Sequence, residues 1–115
     1  MSIKRINAGP RMSQAVVYGQ TVYLAGLTAD DTSQDVKGQT AQILAKIDKL
    51  LAEAGTDKSK VLSANIWLTD IKTWSQMNEV WDKWVSPGNT PARATVEAKL
   101  AVPGLSVEIM VTAAK

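Results

Sequence analysis

The chain contains no cysteine and no histidine. The first absence excludes disulfide frameworks, iron–sulfur sites, thiolate nucleophiles and thiolate zinc sites. The second excludes Ser–His triads, and it leaves carboxylates as the strong metal ligands, so no metal site is expected. Arginine is also scarce, with Arg5, Arg11 and Arg93 only. Lysines stand singly (Lys46, Lys49, Lys58, Lys60, Lys72, Lys83) and form no basic run. Thirteen Lys and Arg against eleven Asp and Glu leave a net charge of +2. Although the pI is about 9.0, that excess is too small and too dispersed for a nucleic-acid partner. No apolar run is long enough to span a membrane. Nor does one follow the basic pair Lys4-Arg5, so no signal peptide is expected and the cytoplasm is the expected compartment.

What is present describes an ordinary globular chain. In 115 residues, 45% are hydrophobic and 21% charged, which suits a single domain over residues 1–115 that needs no staple. After an extended N-terminal piece, Ala15-Val16-Val17-Tyr18 and Thr21-Val22-Tyr23-Leu24-Ala25 flank Gly19-Gln20. Two β-prone runs around a short glycine turn predict a hairpin. Thr28 to Gln34 is a polar, Asp-rich loop. From Val36 to Ala54, apolar residues at Ile43, Leu44, Ile47, Leu50, Leu51 and Ala54 keep helical spacing, and Gly55 supplies a left-handed stop. Val61 to Leu68 reads as a strand, with Leu62, Ala64, Ile66 and Leu68 on one face and Ser63, Asn65 and Trp67 on the other.

A second helix is expected to begin near Thr73, where Thr73-Trp74-Ser75-Gln76 has the form of a capping box. Its apolar stripe is Trp74, Met77, Trp81, Trp84 and Val85, read as core, and Pro87-Gly88 ends it. In Ala92–Leu100 small or apolar residues (Ala92, Ala94, Val96, Ala98, Leu100) alternate with Arg93, Thr95, Glu97 and Lys99. After Pro103-Gly104 the alternation resumes with Val107, Ile109, Val111 and Ala113. That pattern predicts a terminal hairpin with one apolar face. The order is β-β-β-α-β-α-β-β, one mixed sheet with two helices on one face. Trp67, Thr95 and Met110, beside charges, fall on the opposite face. That mixture predicts burial against copies of the chain.

Without His or Cys, proton transfer falls to Asp, Glu, Lys, Tyr or water. Arg93 stands out because it opens a strand just after Pro91, where a guanidinium can grip a carboxylate through two hydrogen bonds. The residues alone leave a second reading open, an ion pair with Glu97 or with an acid on another chain. Glu108 could polarise a water or pair across strands with Lys99. Asn78 could be a cleft residue or a solvent-facing amide. No phosphate-binding glycine loop is present.

The stretch Thr90-Pro91-Ala92-Arg93-Ala94-Thr95-Val96-Glu97 resembles the Pro-Ala-Arg signature of the RidA/YjgF family of enamine/imine deaminases. Val107-Glu108-Ile109 resembles that family's terminal strand with its acidic residue. Ser13-Gln14-Ala15-Val16-Val17 resembles its early strand, and Leu24-Ala25-Gly26 the small-residue–Gly step after the next one. Asn78 stands where the family has an Asn on its second helix. These matches run in order along nearly the whole chain.

The resemblance implies a chorismate-mutase-like α+β fold and a homotrimer, sheets inside and helices outside, with three clefts between subunits. It implies hydrolysis of 2-imino acids and their enamine tautomers to 2-keto acids and ammonia, as in 2-iminobutanoate/2-iminopropanoate deaminases, without a cofactor. By position, Arg93 binds the substrate carboxylate and Glu108 positions or activates water, while Thr95, Asn78 and Gly26 line the cleft. Three departures point to a branch other than the best-known one. Met12 replaces a Tyr, Ala25 a Ser and Thr95 a Cys at positions that shape the site. The rival reading is a non-catalytic trimeric module of the same fold that binds small carboxylates or serves regulation.

Overall fold

Eight principal elements follow one another in the expected order in the computed structural model, which describes residues 2–115. Strands β1 (Ile3–Ala8), β2 (Ser13–Tyr18) and β3 (Thr21–Leu24) precede helix α1 (Val36–Glu53). Strand β4 (Val61–Leu68), helix α2 (Trp74–Trp84) and strands β5 (Ala92–Glu97) and β6 (Val107–Ala114) complete the chain. They form one six-stranded sheet in the order β1-β2-β3-β6-β4-β5. The β2–β3 turn closes on the pair Tyr18–Thr21 around Gly19, whose φ of +62° is the left-handed value a two-residue hairpin needs.

Helix α1 starts where Asp35 accepts a hydrogen bond from the Gly38 N–H at 3.0 Å, and Gly55, at φ +86°, follows its end. Its face of Ile43, Ile47 and Leu51 is fully buried with Ile66, Leu68, Ile109 and Val111 of the sheet. Each such side chain contributes about 1.5–3 kcal/mol of transfer free energy. Both helices lie on this face. Two polar contacts join them: the Trp84 Nε1–H donates to both carboxylate oxygens of Asp48 at 3.0 and 3.1 Å, and Lys37 pairs with Glu79 at 2.6 Å.

The structure corrects the sequence reading at several places, and β5 ends at Glu97 rather than Leu100. Strands β5 and β6 are not a hairpin. Strand β4 lies between them, antiparallel to β6 and parallel to β5, with α2 making the crossover a parallel pair requires. Strand β5 is also turned over relative to expectation. Arg93 and Thr95 are in register with Ala64 and Ile66 and so point to the helix side, while Ala92, Ala94 and Val96 face outward. Thr95 therefore leaves the open face, where Trp67 and Met110 remain half-buried.

In β4 the register slips between Val61 and Ser63, which turns Val61 inward and leaves Leu62 exposed. At the start of α2 no capping box forms: the Thr73 hydroxyl donates back to the Asp70 carbonyl at 2.6 Å and Thr73 makes no side-chain cap. A single 3₁₀ turn, Ile71–Thr73, precedes the helix, and Trp74, expected in the core stripe, is exposed. Met77 and Trp81 are buried as expected, and Trp84 is half-buried.

Candidate functional site at the edge strand

The crossover from β4 through α2 to β5 positions Arg93. Pro91 leads into β5, and the parallel register with Ala64 directs the Arg93 side chain toward α2. There its Cζ lies 5.3 Å from the centroid of the Trp81 ring, within cation–π range. Trp81 packs in turn against Trp84, with ring centroids 5.2 Å apart and planes at 51°. The ion pairs among the described residues are Lys37–Glu79 and Lys46–Asp30, so the guanidinium is in neither. The expected partner Glu97 instead accepts a hydrogen bond from the Ile71 N–H at 3.0 Å. Partial burial pushes the Arg93 pKa down from its ordinary value, and the negative charge of Asp82 opposes that shift. A guanidinium in such surroundings keeps its charge.

Two further polar groups on this side of the sheet have no partner. The Asn78 Oδ1 and the Thr95 Oγ1 are buried and make no hydrogen bond. Asn78 is on α2, three residues before Trp81, and Thr95 is on β5, two residues after Arg93. Buried oxygens left unsatisfied are uncommon and costly, and they mark places where a bound water, an ion, a ligand or a catalytic role completes them. A shallow recess of about 250 Å³ runs along the β4–β5 edge, lined by Ser63, Ala64, Asn65, Ala92, Arg93 and Ala94, most of which belong to the outward face.

Glu108 lies elsewhere. In register with Trp67 on β4, it projects from the open face of the sheet, since its neighbours Val107 and Ile109 fill the core. Its carboxylate rests against Gly26, and a Cβ on that glycine would overlap the Glu108 Oε2. The backbone after β3 is held beside it by the Leu27–Ile109 bridge and by the Ala25 N–H donating to the Gln14 carbonyl at 2.9 Å. No ion pair joins Glu108 to Lys99. Met12 is half-exposed at the β1–β2 corner, where its carbonyl accepts from the Gly9 N–H at 2.8 Å.

One chain thus splits the expected site into separate groups. Arg93 and Thr95 project from β5 to the helix side of the sheet, where Asn78 is carried on α2, whereas Glu108, Gly26 and Ala25 gather around β6 and β3. Met12 is at the far corner of the sheet. The sequence reading missed Trp81 as a neighbour of Arg93, because a Trp at helical spacing reads as core filling. Four residues after Met77 on the same face, it was nonetheless placed to meet whatever the next strand turned toward α2. Among the described residues, no three metal-ligating side chains cluster, and no helix is long and apolar enough to cross a membrane.

A mixed six-stranded sheet backed on one face by two helices defines an α+β protein of the architecture seen in YjgF-family structures. The family described as Endoribonuclease L-PSP matches residues 2–115, and the chain belongs to it. A RutC family protein of Haemophilus ducreyi is 45% identical over 112 residues, covering 97% of this chain and 96% of that protein. The crystal structure of a YjgF protein family member from Neisseria meningitidis superposes with a TM-score of 0.97 at 46% identity, covering 100% of this chain and 96% of that one. A YjgF-family structure from Mycobacterium tuberculosis gives a TM-score of 0.90 at 30% identity, covering 99% and 100%.

Proposed function

We propose that this protein hydrolyses 2-imino acids, and their enamine tautomers, to 2-keto acids and ammonia without a cofactor. The observation that carries the reading is Arg93, a partly buried guanidinium with no ion pair, on the same side of the sheet as two buried oxygens without partners. Arg93 grips the substrate carboxylate in a two-point hydrogen bond. Thr95 and Asn78 present acceptors suited to an N–H of the imine. Glu108 holds the attacking water.

The chemistry asks little more than this. Protonated at nitrogen, the C=N carbon is electrophilic. A water oxygen adds to it, one water proton passes to nitrogen, and the C–N bond breaks with its electron pair leaving on ammonia; the remaining hydroxyl proton is released as the ketone forms, replacing the proton the imine took up. No electron changes hands. A positioned carboxylate contributes about 10²–10⁴-fold to such a step, and fixing water beside the carbon contributes through proximity.

Because Arg93 and Glu108 project from opposite faces of one sheet, a ligand touching both lies between two chains. The open face supplies the means of association: Tyr18, Tyr23 and Val96 are exposed there, with Trp67 and Met110 half-buried. We read the assembly as a homotrimer with three such clefts, each completed by Ala25, Gly26 and Met12.

The test generates imines in situ with an amino-acid oxidase while semicarbazide competes for them, and it follows keto-acid formation over acidic, basic and apolar side chains. The wild type accelerates keto-acid release and Arg93→Ala loses that acceleration. An Arg93→Ala protein as active as wild type would falsify the site. Pyruvate binding without acceleration on any substrate would favour the non-catalytic carboxylate-binding module. RNA cleavage in the same preparations would favour the activity in the family's description.

A further inference from the structure

We infer that Trp81 is a positioning residue for Arg93: its indole face, itself held by Trp84 and Asp48, aims the guanidinium for a carboxylate. The inference rests on the reading of Arg93 as the carboxylate-binding group.

An arginine side chain has four rotatable bonds, and a site that needs a two-point grip needs the terminal plane fixed beforehand. Arg93 has no ion pair that could fix it. An aromatic contact stands in place of an ion pair, the Trp81 ring at 5.3 Å. An anion held in place would compete with the ligand for the same N–H donors. A π face attracts the cation without occupying them, so the donors stay free.

The support for the ring is unusually complete. Trp81 is 5% exposed and packs against Trp84 at 5.2 Å. The Trp84 Nε1–H is bonded to both oxygens of Asp48 on α1, and the Lys58 ammonium lies 5.5 Å over the Trp84 ring. The line from Asp48 through Trp84 and Trp81 to Arg93 links the edge strand to the longest helix of the fold. A Trp serving only to fill the core would need neither the guanidinium above it nor that anchored neighbour.

The test compares Trp81→Phe, which keeps an aromatic face, with Trp81→Met, which keeps apolar volume without one. Arg93→Ala and the exposed Trp74→Phe serve as controls. Pyruvate is the binding probe, and imine turnover is measured in parallel. The Met variant should bind pyruvate about five- to tenfold more weakly. Its KM should rise in proportion while kcat stays near wild type. The Phe variant should recover most of the loss, and Trp74→Phe should match wild type. Equal binding by the Phe and Met variants, with Arg93→Ala still defective, would overturn the positioning role and leave the proposed function standing. An unaffected Arg93→Ala would overturn both.

A second measurement does not depend on any Trp81 variant folding. With three arginines in the chain, the Arg93 Nε–H resonance is assigned by its loss in Arg93→Ala. Ring-current shielding should move it upfield, and a position matching those of Arg5 and Arg11 would overturn the contact.

Discussion

Strands β5 and β6 carry the same alternation of small or apolar residues with polar ones, yet the fold uses them in opposite senses. In β6 the apolar set, Val107, Ile109, Val111 and Ala113, is buried against the helices and the polar set faces out. In β5 the apolar set, Ala92, Ala94 and Val96, faces out, and Arg93 and Thr95 turn toward α2. Neighbours make the difference. Strand β6 is central, paired on both sides and covered by α1, so polar groups facing inward there would be stranded. Strand β5 is an edge with one paired side, where inward polar groups can reach solvent or a ligand. The inverted strand is where binding chemistry can be placed without opening the core.

The largest expected effect comes from breaking the central strand. Ile109 is fully buried, and Ile109→Ala should destabilise the protein by about 2–5 kcal/mol, lost transfer energy plus the cavity left behind. Denaturant unfolding measures it. A loss under about 1 kcal/mol would mean that the β6 face collapses around the gap, and that the contrast with β5 is weaker than the burial suggests.

Next comes the connection that separates the two strands. To reach the far side of β4, the chain runs from Glu97 to Val107 through a loop pinned by Gln39 of α1, a fully buried amide. Its Nε2 donates to the carbonyls of Gln34 and Gly104 at 3.0 Å, and its Oε1 accepts from the Ser106 N–H at 2.8 Å. Gln39→Leu keeps similar bulk but strands those partners, at a cost of about 1–3 kcal/mol. The same unfolding curves report it, and a neutral variant would show that the loop holds its course without the clamp.

Much of this was legible in the sequence, and the misses share a cause. Alternation, β-prone runs and helical spacing identify every principal element but β1, which reads only as an extended piece, because each signal follows from the geometry of one segment. None says which face a strand presents, nor which strand sits beside it. The terminal hairpin was inferred from adjacency in sequence, whereas the parallel β4–β5 pairing depends on α2 crossing over. The inverted face of β5 follows from that pairing. Arg93 was singled out by its place after Pro91, and the family pattern assigned its role. Its contact with Trp81 needed the crossover, which no spacing encodes. The Leu62 error is local: a single slip in register moves a side chain to the other face.

On the inverted strand, a substitution in the core's favour should act the other way. The Thr95 Oγ1 is buried without a partner, so Thr95→Val removes an unsatisfied group while keeping the branched shape. Stability should be unchanged or raised by up to about 1 kcal/mol, while imine turnover falls. A destabilised variant would mean that the hydroxyl is satisfied in the folded assembly, and β5 would then be less distinct from β6 than the single chain indicates.

The smallest effect sharpens the comparison by asking what holds α2 over β5. Met77 and Trp81 are buried, whereas the Lys37–Glu79 bridge between the helices is solvent-exposed on both sides. If burial sets the helix position, Glu79→Gln leaves the unfolding midpoint at neutral pH within error of wild type, as for most exposed pairs. The hydrogen bond and charge of Lys37 lower the Glu79 pKa below 4.5, and the same pair raises that of Lys37 above 10.5. The contribution of Glu79 is therefore present above its unfolded pKa and lost as pH falls through the folded value; that of Lys37 is lost as pH rises through its own. Any difference between wild type and variant should thus shrink toward acid, and it should shrink again in high salt. A loss at neutral pH as large as that of Gln39→Leu would show instead that a surface charge pair, and not the buried Met77–Trp81 face, places the helix against the edge strand.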